Sequence, residues 1–213
     1  MNVSAISPIV YNKIGVRFSG RSLTYDEINE RIKNGQIEQI KALPDLYIVN
    51  KKFDTLLHLS ARANQVDISR FLLNKNLDPN RPNINGQTPF AIACSKLNLR
   101  LAEMFLLYDI DINTKDNLKN TPLHRGIQSS EMVNLLLNNA ANPHSVNIFN
   151  QTPYRMSIDY PNSLEVFLKH KINPNTVDEN GQTLMHEAMI KKNMEIAALL
   201  KKYKADVNYK DKF

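Results

Sequence analysis

The chain has 213 residues, 42% of them hydrophobic, with 27 Lys and Arg against 21 Asp and Glu, one Cys and no Trp. That length suits a single helical unit or a short array with a real core. The single Cys94 excludes an intrachain disulfide framework and favours a reducing compartment, and no run approaches the about 18 apolar residues of a membrane helix. The net charge of +6 sits at the ends: residues 1–24 carry +3, residues 191–213 carry +4, and the body between them is nearly neutral. Lysines without clustered arginine or interleaved aromatics read as solvated surface, which disfavours nucleic acid as a partner.

Residues 1–22 place Lys13 and Arg17 after their apolar residues and hold no continuous hydrophobic stretch, so they are expected to be a poorly ordered extension rather than a signal peptide. Over residues 23–49 the pattern predicts two short amphipathic helices on either side of Gly35. From residue 50 a repeat takes over. Matching phrases begin at Thr55, Thr88, Thr121, Thr152 and Thr183, at spacings of 33, 33, 31 and 31 residues: Thr55-Leu-Leu-His58, Thr88-Pro-Phe-Ala91, Thr121-Pro-Leu-His124, Thr152-Pro-Tyr-Arg155 and Thr183-Leu-Met-His186. A threonine hydroxyl suits a helix N-cap, and a following proline suits the first helical position, where no N–H is needed.

A second anchor closes each unit, at Asp78-Pro-Asn80, Asp111-Ile-Asn113, Asn142-Pro-His144, Asn173-Pro-Asn175 and Asp206-Val-Asn208. Between the anchors run apolar segments such as Phe71-Leu-Leu73 and Leu135-Leu-Leu137, which predict a second helix with one buried face. The two shorter units lose residues ahead of that helix, around Gln128-Ser-Ser130 and Tyr160-Pro-Asn162. Asn85-Gly86 and Asn180-Gly181 predict tight turns with positive φ, so the linkers 81–87 and 176–182 are expected to be hairpin-like fingers.

This recurrence resembles the ankyrin repeat, and the resemblance covers residues 50–213 as five repeats, the last ending where Tyr209 to Phe213 looks like the start of another finger. Residues 23–49 then become a degenerate capping repeat. The implied fold is all-α, a right-handed solenoid of about six stacked helix-turn-helix units in which neighbours supply the burial no single unit can provide. Lys119 and Asn150 stand where the family has glycine, and Lys119 leaves the geometry of its finger in question.

Candidate chemistry is sparse. His58, His124 and His186 share one repeat position and, at about 10 Å per layer, stand too far apart to hold one ion. The resemblance implies that their rings bond to finger backbone. His144 and His170 are expected at the surface. Cys94 follows Ala93 on the buried side of a first helix and reads as a small hydrophobe. Asp178-Glu179 and the Asp109/Asp111 pair fall in loops and read as solvated turns, and the chain has no glycine-rich phosphate loop and no nucleophile elbow. The expectation is a non-enzyme with no metal and no cofactor.

What remains is surface. The family resemblance implies that fingers and first helices line the concave, partner-gripping side, and the matching positions are Arg81 and Ile84, Lys115 and Leu118, Ile148 and Phe149, and Val177 and Glu179 on the fingers. Arg62, Lys96, Arg125, Met156, Asp159 and Tyr160 come from first helices. Phe149 has two readings, an exposed binding anchor beside Ile148 or a ring folded onto the next repeat. The expected function is a monomeric, cytoplasmic protein-interaction module. The 27 Asn and abundant Lys and Ile suit an AT-rich genome, hence a host-directed factor of an intracellular bacterium or virus. The alternative is the recognition part of a larger enzyme or adaptor, such as a ubiquitin ligase or modifying effector.

Overall fold

The computed structural model describes residues 16–18 and 21–210, with side chains from Leu23 onward. The expected disorder of residues 1–22 and the finger start expected at 209–213 therefore fall largely outside the described residues. Val16–Phe18 (β1) pairs antiparallel with Arg21–Leu23 (β2), a short hairpin that the sequence pattern did not anticipate. Every regular element after it among the described residues is a helix, joined by turns and fingers.

Six helix pairs follow. The first is α1 (Tyr25–Lys33) with α2 (Ile37–Lys41), turning at Gly35, whose φ is +67°. The repeat pairs are α3 (Leu56–Arg62) with α4 (Val66–Asn74), α5 (Pro89–Ser95) with α6 (Leu99–Phe105), and α7 (Pro122–Arg125) with α8 (Ser130–Asn138). Then come α9 (Pro153–Met156), continued by a 3₁₀ turn over Ser157–Asp159, with α10 (Pro161–Lys169), and α11 (Leu184–Ile190) with α12 (Met194–Lys202). In the two short units it is the first helix that shrinks, to four residues in α7 and α9 against seven in α3 and α11. The missing residues thus fall where the two anchors bracket them. Gly126 fits this shortened turn because α8 comes close: a Cβ there would stand 2.6 Å from Met132 Cγ.

The chain divides into two compact units. The first comprises residues up to Ala93 together with Arg100–Asp111. Within it α1 packs on α2 and α3, and α4 on α2 and α3. Ile28, Ile32 and Ile40 of the cap, Leu56, Leu57, Ile68 and Leu72 are buried, and Phe90 meets Phe105 edge-on at 6.3 Å. The cap is also tied by polar bonds, since the Tyr25 hydroxyl donates to the Asp54 carbonyl at 2.7 Å and Gln65 Nε2 to the Lys33 carbonyl at 3.0 Å. These bonds to the neighbouring repeat add to the buried isoleucines in holding a short cap that lacks the Thr-Pro phrase.

The second unit holds Cys94–Leu99 and the described residues from Ile112 on. Here α8 packs on α7 and α10, and α12 on α10 and α11. Leu123, Met132, Val133, Leu136, Leu164, Leu184, Ile196 and Leu200 are buried, and Tyr154 lies edge-on to Phe167 at 5.9 Å. Cys94 is fully buried and its thiol is pushed up by that burial, in keeping with a packing role.

Candidate interaction surface

Each finger is organised by one side chain. Asn50, Asn83, Asp116, Asn147 and Asp178 occupy the same position, five residues before each threonine, and the Oδ1 of each accepts the backbone N–H groups two and four residues on, at 2.8–3.1 Å. The backbone closes the same five-residue loop, for example from Asn83 N to Gln87 O at 3.0 Å and from Asp116 N to Asn120 O at 3.0 Å. The fourth residue of every loop takes positive φ: Phe53 at +59°, Gly86 at +74°, Lys119 at +56°, Asn150 at +54° and Gly181 at +78°. Lys119 therefore adopts the common geometry, held there by the ring of bonds to Asp116 despite the cost to a side chain. Asn85 and Asn180 keep negative φ, so the Asn-Gly turns use a single left-handed residue rather than two. The fingers are hairpin-like in their closing bonds and carry no extended strand pairing beyond the single bridge Val49 to Thr55 among the described residues.

The threonine phrase locks finger to helix. Thr55 N donates to His58 Nδ1 at 3.1 Å while His58 Nε2 bonds the Gln87 carbonyl at 2.9 Å. Since Nδ1 accepts, the proton resides on Nε2 and the ring is neutral. His124 repeats the arrangement with Thr121 and the Gln151 carbonyl. Burial lowers both imidazoles, His58 to about 4. Arg155, in the histidine column, does the same work: its Nη1 donates to the Gln182 carbonyl at 2.8 Å, while Nη2 reaches Asp178 at 3.1 Å and Glu187 at 3.2 Å. His186 keeps the Thr183 contact. His144 is exposed, and His170 is half-buried with a bond to Asn134.

Two of the arginines named as surface contacts are already engaged. Arg62 bonds Asp54 at 2.6 Å, a carboxylate that also receives Asn83 and Asn50. Burial would raise the Asp54 carboxyl, but those three donors outweigh it and hold it below its usual range. Arg125 clamps Asp116 through Nε at 2.9 Å and through Nη2. Asp178 likewise organises its finger and pairs with Arg155, rather than lying free in a solvated turn. The column of Asn and Asp before each threonine is the signal that would have revealed this.

In the first unit Ile84 is exposed on its finger, Arg81 is half-buried, and the Ile84 N–H bonds the Lys52 carbonyl of the preceding finger at 2.8 Å. The second unit gathers more. Ile148 N–H bonds the Leu118 carbonyl at 3.0 Å, which sets these two apolar finger residues side by side. Phe149 is 65% exposed, and Leu118, Val146, Ile148 and Val177 are exposed too. Of the two readings of Phe149, exposure is the one found. Lys96 and Lys115 are exposed, Met156 and Tyr160 are half-buried, and exposed Asp159 pairs with Lys191 at 3.2 Å.

Comparison with known proteins agrees with this anatomy. A model of ankyrin repeats in three copies matches residues 30–116, 77–147 and 123–211. The chain belongs to the ankyrin-repeat family. FPV031 of fowlpox virus (strain NVSL), named an ankyrin repeat protein, is 28% identical over 163 residues, covering 74% of this chain and 39% of its own length. A second fowlpox ankyrin repeat protein, FPV024, is 31% identical over 107 residues, 48% of this chain and 18% of its own. The chain thus spans well under half the length of these viral relatives. The ankyrin repeat domain of Bcl-3 superposes with a TM-score of 0.77 at 21% identity, covering 86% of this chain and 88% of that domain. Ankyrin repeats are protein-interaction modules, and no helix among the described residues is long and apolar enough to cross a membrane.

Proposed function

We propose that this ankyrin-repeat chain is a non-catalytic module that grips a protein partner through its fingers and first-helix surface, the concave side in the family, with Phe149 and Ile148 as the anchor. The observation that carries this reading is an aromatic and a β-branched side chain exposed together on a finger whose backbone Asn147 fixes. A large apolar contact on a rigid loop loses little entropy on binding and is the composition of an interface hot spot. Leu118, Lys115, Lys96, Met156, Asp159 and Tyr160 extend the surface within the second unit, and Arg62, Arg81 and Ile84 are the corresponding positions of the first. Arg125 acts one step back, by holding Asp116 and with it the Leu118 finger.

The two fowlpox relatives support a host-directed factor working in the cytoplasm of an infected cell. Their greater length favours a second reading, in which this array is the recognition part of a larger enzyme or adaptor, such as a ubiquitin ligase or modifying effector. The test is a photo-crosslinking amino acid placed at Phe149 and, separately, at exposed Leu107 away from the fingers. A discrete protein adduct at 149 that is absent at 107 is the expected result. Equal labelling at both positions would refute the finger surface.

A further inference from the structure

We propose, resting on the finger surface argued above, that the fingers of the second unit take a peptide segment of a partner protein with carboxylates at one end and bulky apolar side chains beside them. The sequence hides the charge of this surface. Residues 114–120, 145–151 and 176–182 carry Lys115 and Lys119 against Asp116, Asp178 and Glu179, a formal excess of acid. Both aspartates are withdrawn from it. Asp116 is buried beneath Arg125 and Asp178 is paired with Arg155, and the Oδ1 of each is taken up by the backbone of its own finger. Lys115 and Lys119 are exposed and have no ion-pair partner among the described residues. The first unit, by itself, treats its charges the same way: Asp54 is held by Arg62, while exposed Lys51 and Lys52 have no ion-pair partner among the described residues.

The remaining charge is one-sided. Lys115, Val146 and Val177 hold one place in successive fingers and Lys119, Asn150 and Gly181 another, so each row begins with a lysine and continues uncharged. Finger 145–151 has no charged residue and exposes Ile148 and Phe149. The bond from Ile148 N–H to the Leu118 carbonyl sets the basic finger directly against this apolar one. On the other side, exposed Glu179 accepts from Asn150 Nδ2 at 2.9 Å. A segment crossing these fingers therefore meets two ammonium groups, then an apolar row, then a carboxylate. Acid is attracted at its first end and repelled at its last, which gives the segment a direction as well as a sign. A nucleic-acid strand fits this order poorly, because its phosphates recur at every nucleotide and would run from two lysines onto an uncharged finger and Glu179.

The experiment selects a random dodecapeptide library, displayed on phage, against the whole chain and measures the enriched peptides by fluorescence anisotropy. They should carry Asp or Glu gathered at one end with Leu, Ile or Phe beside them, and should weaken about tenfold or more both with Phe149→Ala and with Lys115→Glu plus Lys119→Gly. A glycine suits the positive φ at position 119 and both lysines are exposed, so a melt no lower than that of the wild type verifies the fold of the lysine variant. The same selection on that variant should lose its acidic bias. Peptides that need Phe149 but show no acidic bias, or that are indifferent to the lysine changes, overturn the proposal and leave the finger surface standing. Peptides that bind Phe149→Ala as well as wild type refute the finger surface and the proposal with it. Enrichment of no peptide, or tighter binding of a labelled oligouridylate than of any peptide, overturns the proposal as well.

Discussion

Arg125→Ala and Phe149→Ala should behave oppositely in a stability measurement. The Asp116 side chain is 4% exposed; its Oδ1 accepts from the Leu118 and Asn120 backbone at 2.9 Å each, and its Oδ2 is met by Arg125. Truncating Arg125 leaves Oδ2 buried without its guanidinium. Breaking a fully buried pair costs about 3–5 kcal/mol and an exposed one about 0–1 kcal/mol. Arg125 lies between, with 31% of its side chain exposed, so a loss of roughly 1–3 kcal/mol is expected. At about 2–4 °C per kcal/mol for a chain of this size, the midpoint should fall by several degrees. Phe149→Ala removes an exposed ring and should stay within about 0.5 kcal/mol of wild type. Urea melts followed by circular dichroism compare the two, and a cycle with Asp116→Asn isolates the coupling. If Arg125→Ala melts with the wild type while Phe149→Ala loses stability, the assignment of structural and binding roles is inverted.

Lys119→Gly should stabilise the protein by about 0.5–1 kcal/mol, because a glycine removes the left-handed penalty from an exposed side chain, and Asn150→Gly should gain less; thermal melts decide. Burial holds the His58 imidazole at about 4 against an ordinary 6.5, so between those pH values the unfolded chain takes up a proton that the folded one refuses. Stability should therefore be level above pH 6.5 with respect to this group and fall toward pH 4, at up to about 1.4 kcal/mol per pH unit, with His124 adding in the same direction; denaturant melts at several pH values should show a shallower fall in His58→Gln. Leu136 is fully buried and Leu136→Ala should cost about 2–5 kcal/mol, whereas Lys202→Ala, which loses an exposed pair with Glu165 and a contact over the Tyr203 ring, should cost far less. Equal shifts from those two changes would contradict the repeat register.

The fold class was legible in the residues because it is written periodically. Thr152-Pro153 caps and starts a helix through local bonds alone, and Leu135-Leu-Leu137 marks a buried stripe wherever its neighbours lie. Even the position of the two-residue losses followed from anchors on either side. Tertiary structure decided what depends on partners that only the folded backbone brings together, whether nine residues away, as Asp116 is from Arg125, or about 30, as Gln182 and Glu187 are from Arg155. Arg155 reads as a broken His motif until the Gln182 carbonyl, Asp178 and Glu187 are seen around it. Arg125 reads as a free surface cation until Asp116 is found buried beneath it, and Lys119 as a misfit until the bonds to Asp116 are seen to hold its turn. A sequence shows which residue types recur at a position; whether a charge there is solvated or committed depends on desolvation and on donors from the next repeat, and those exist only once the units have stacked.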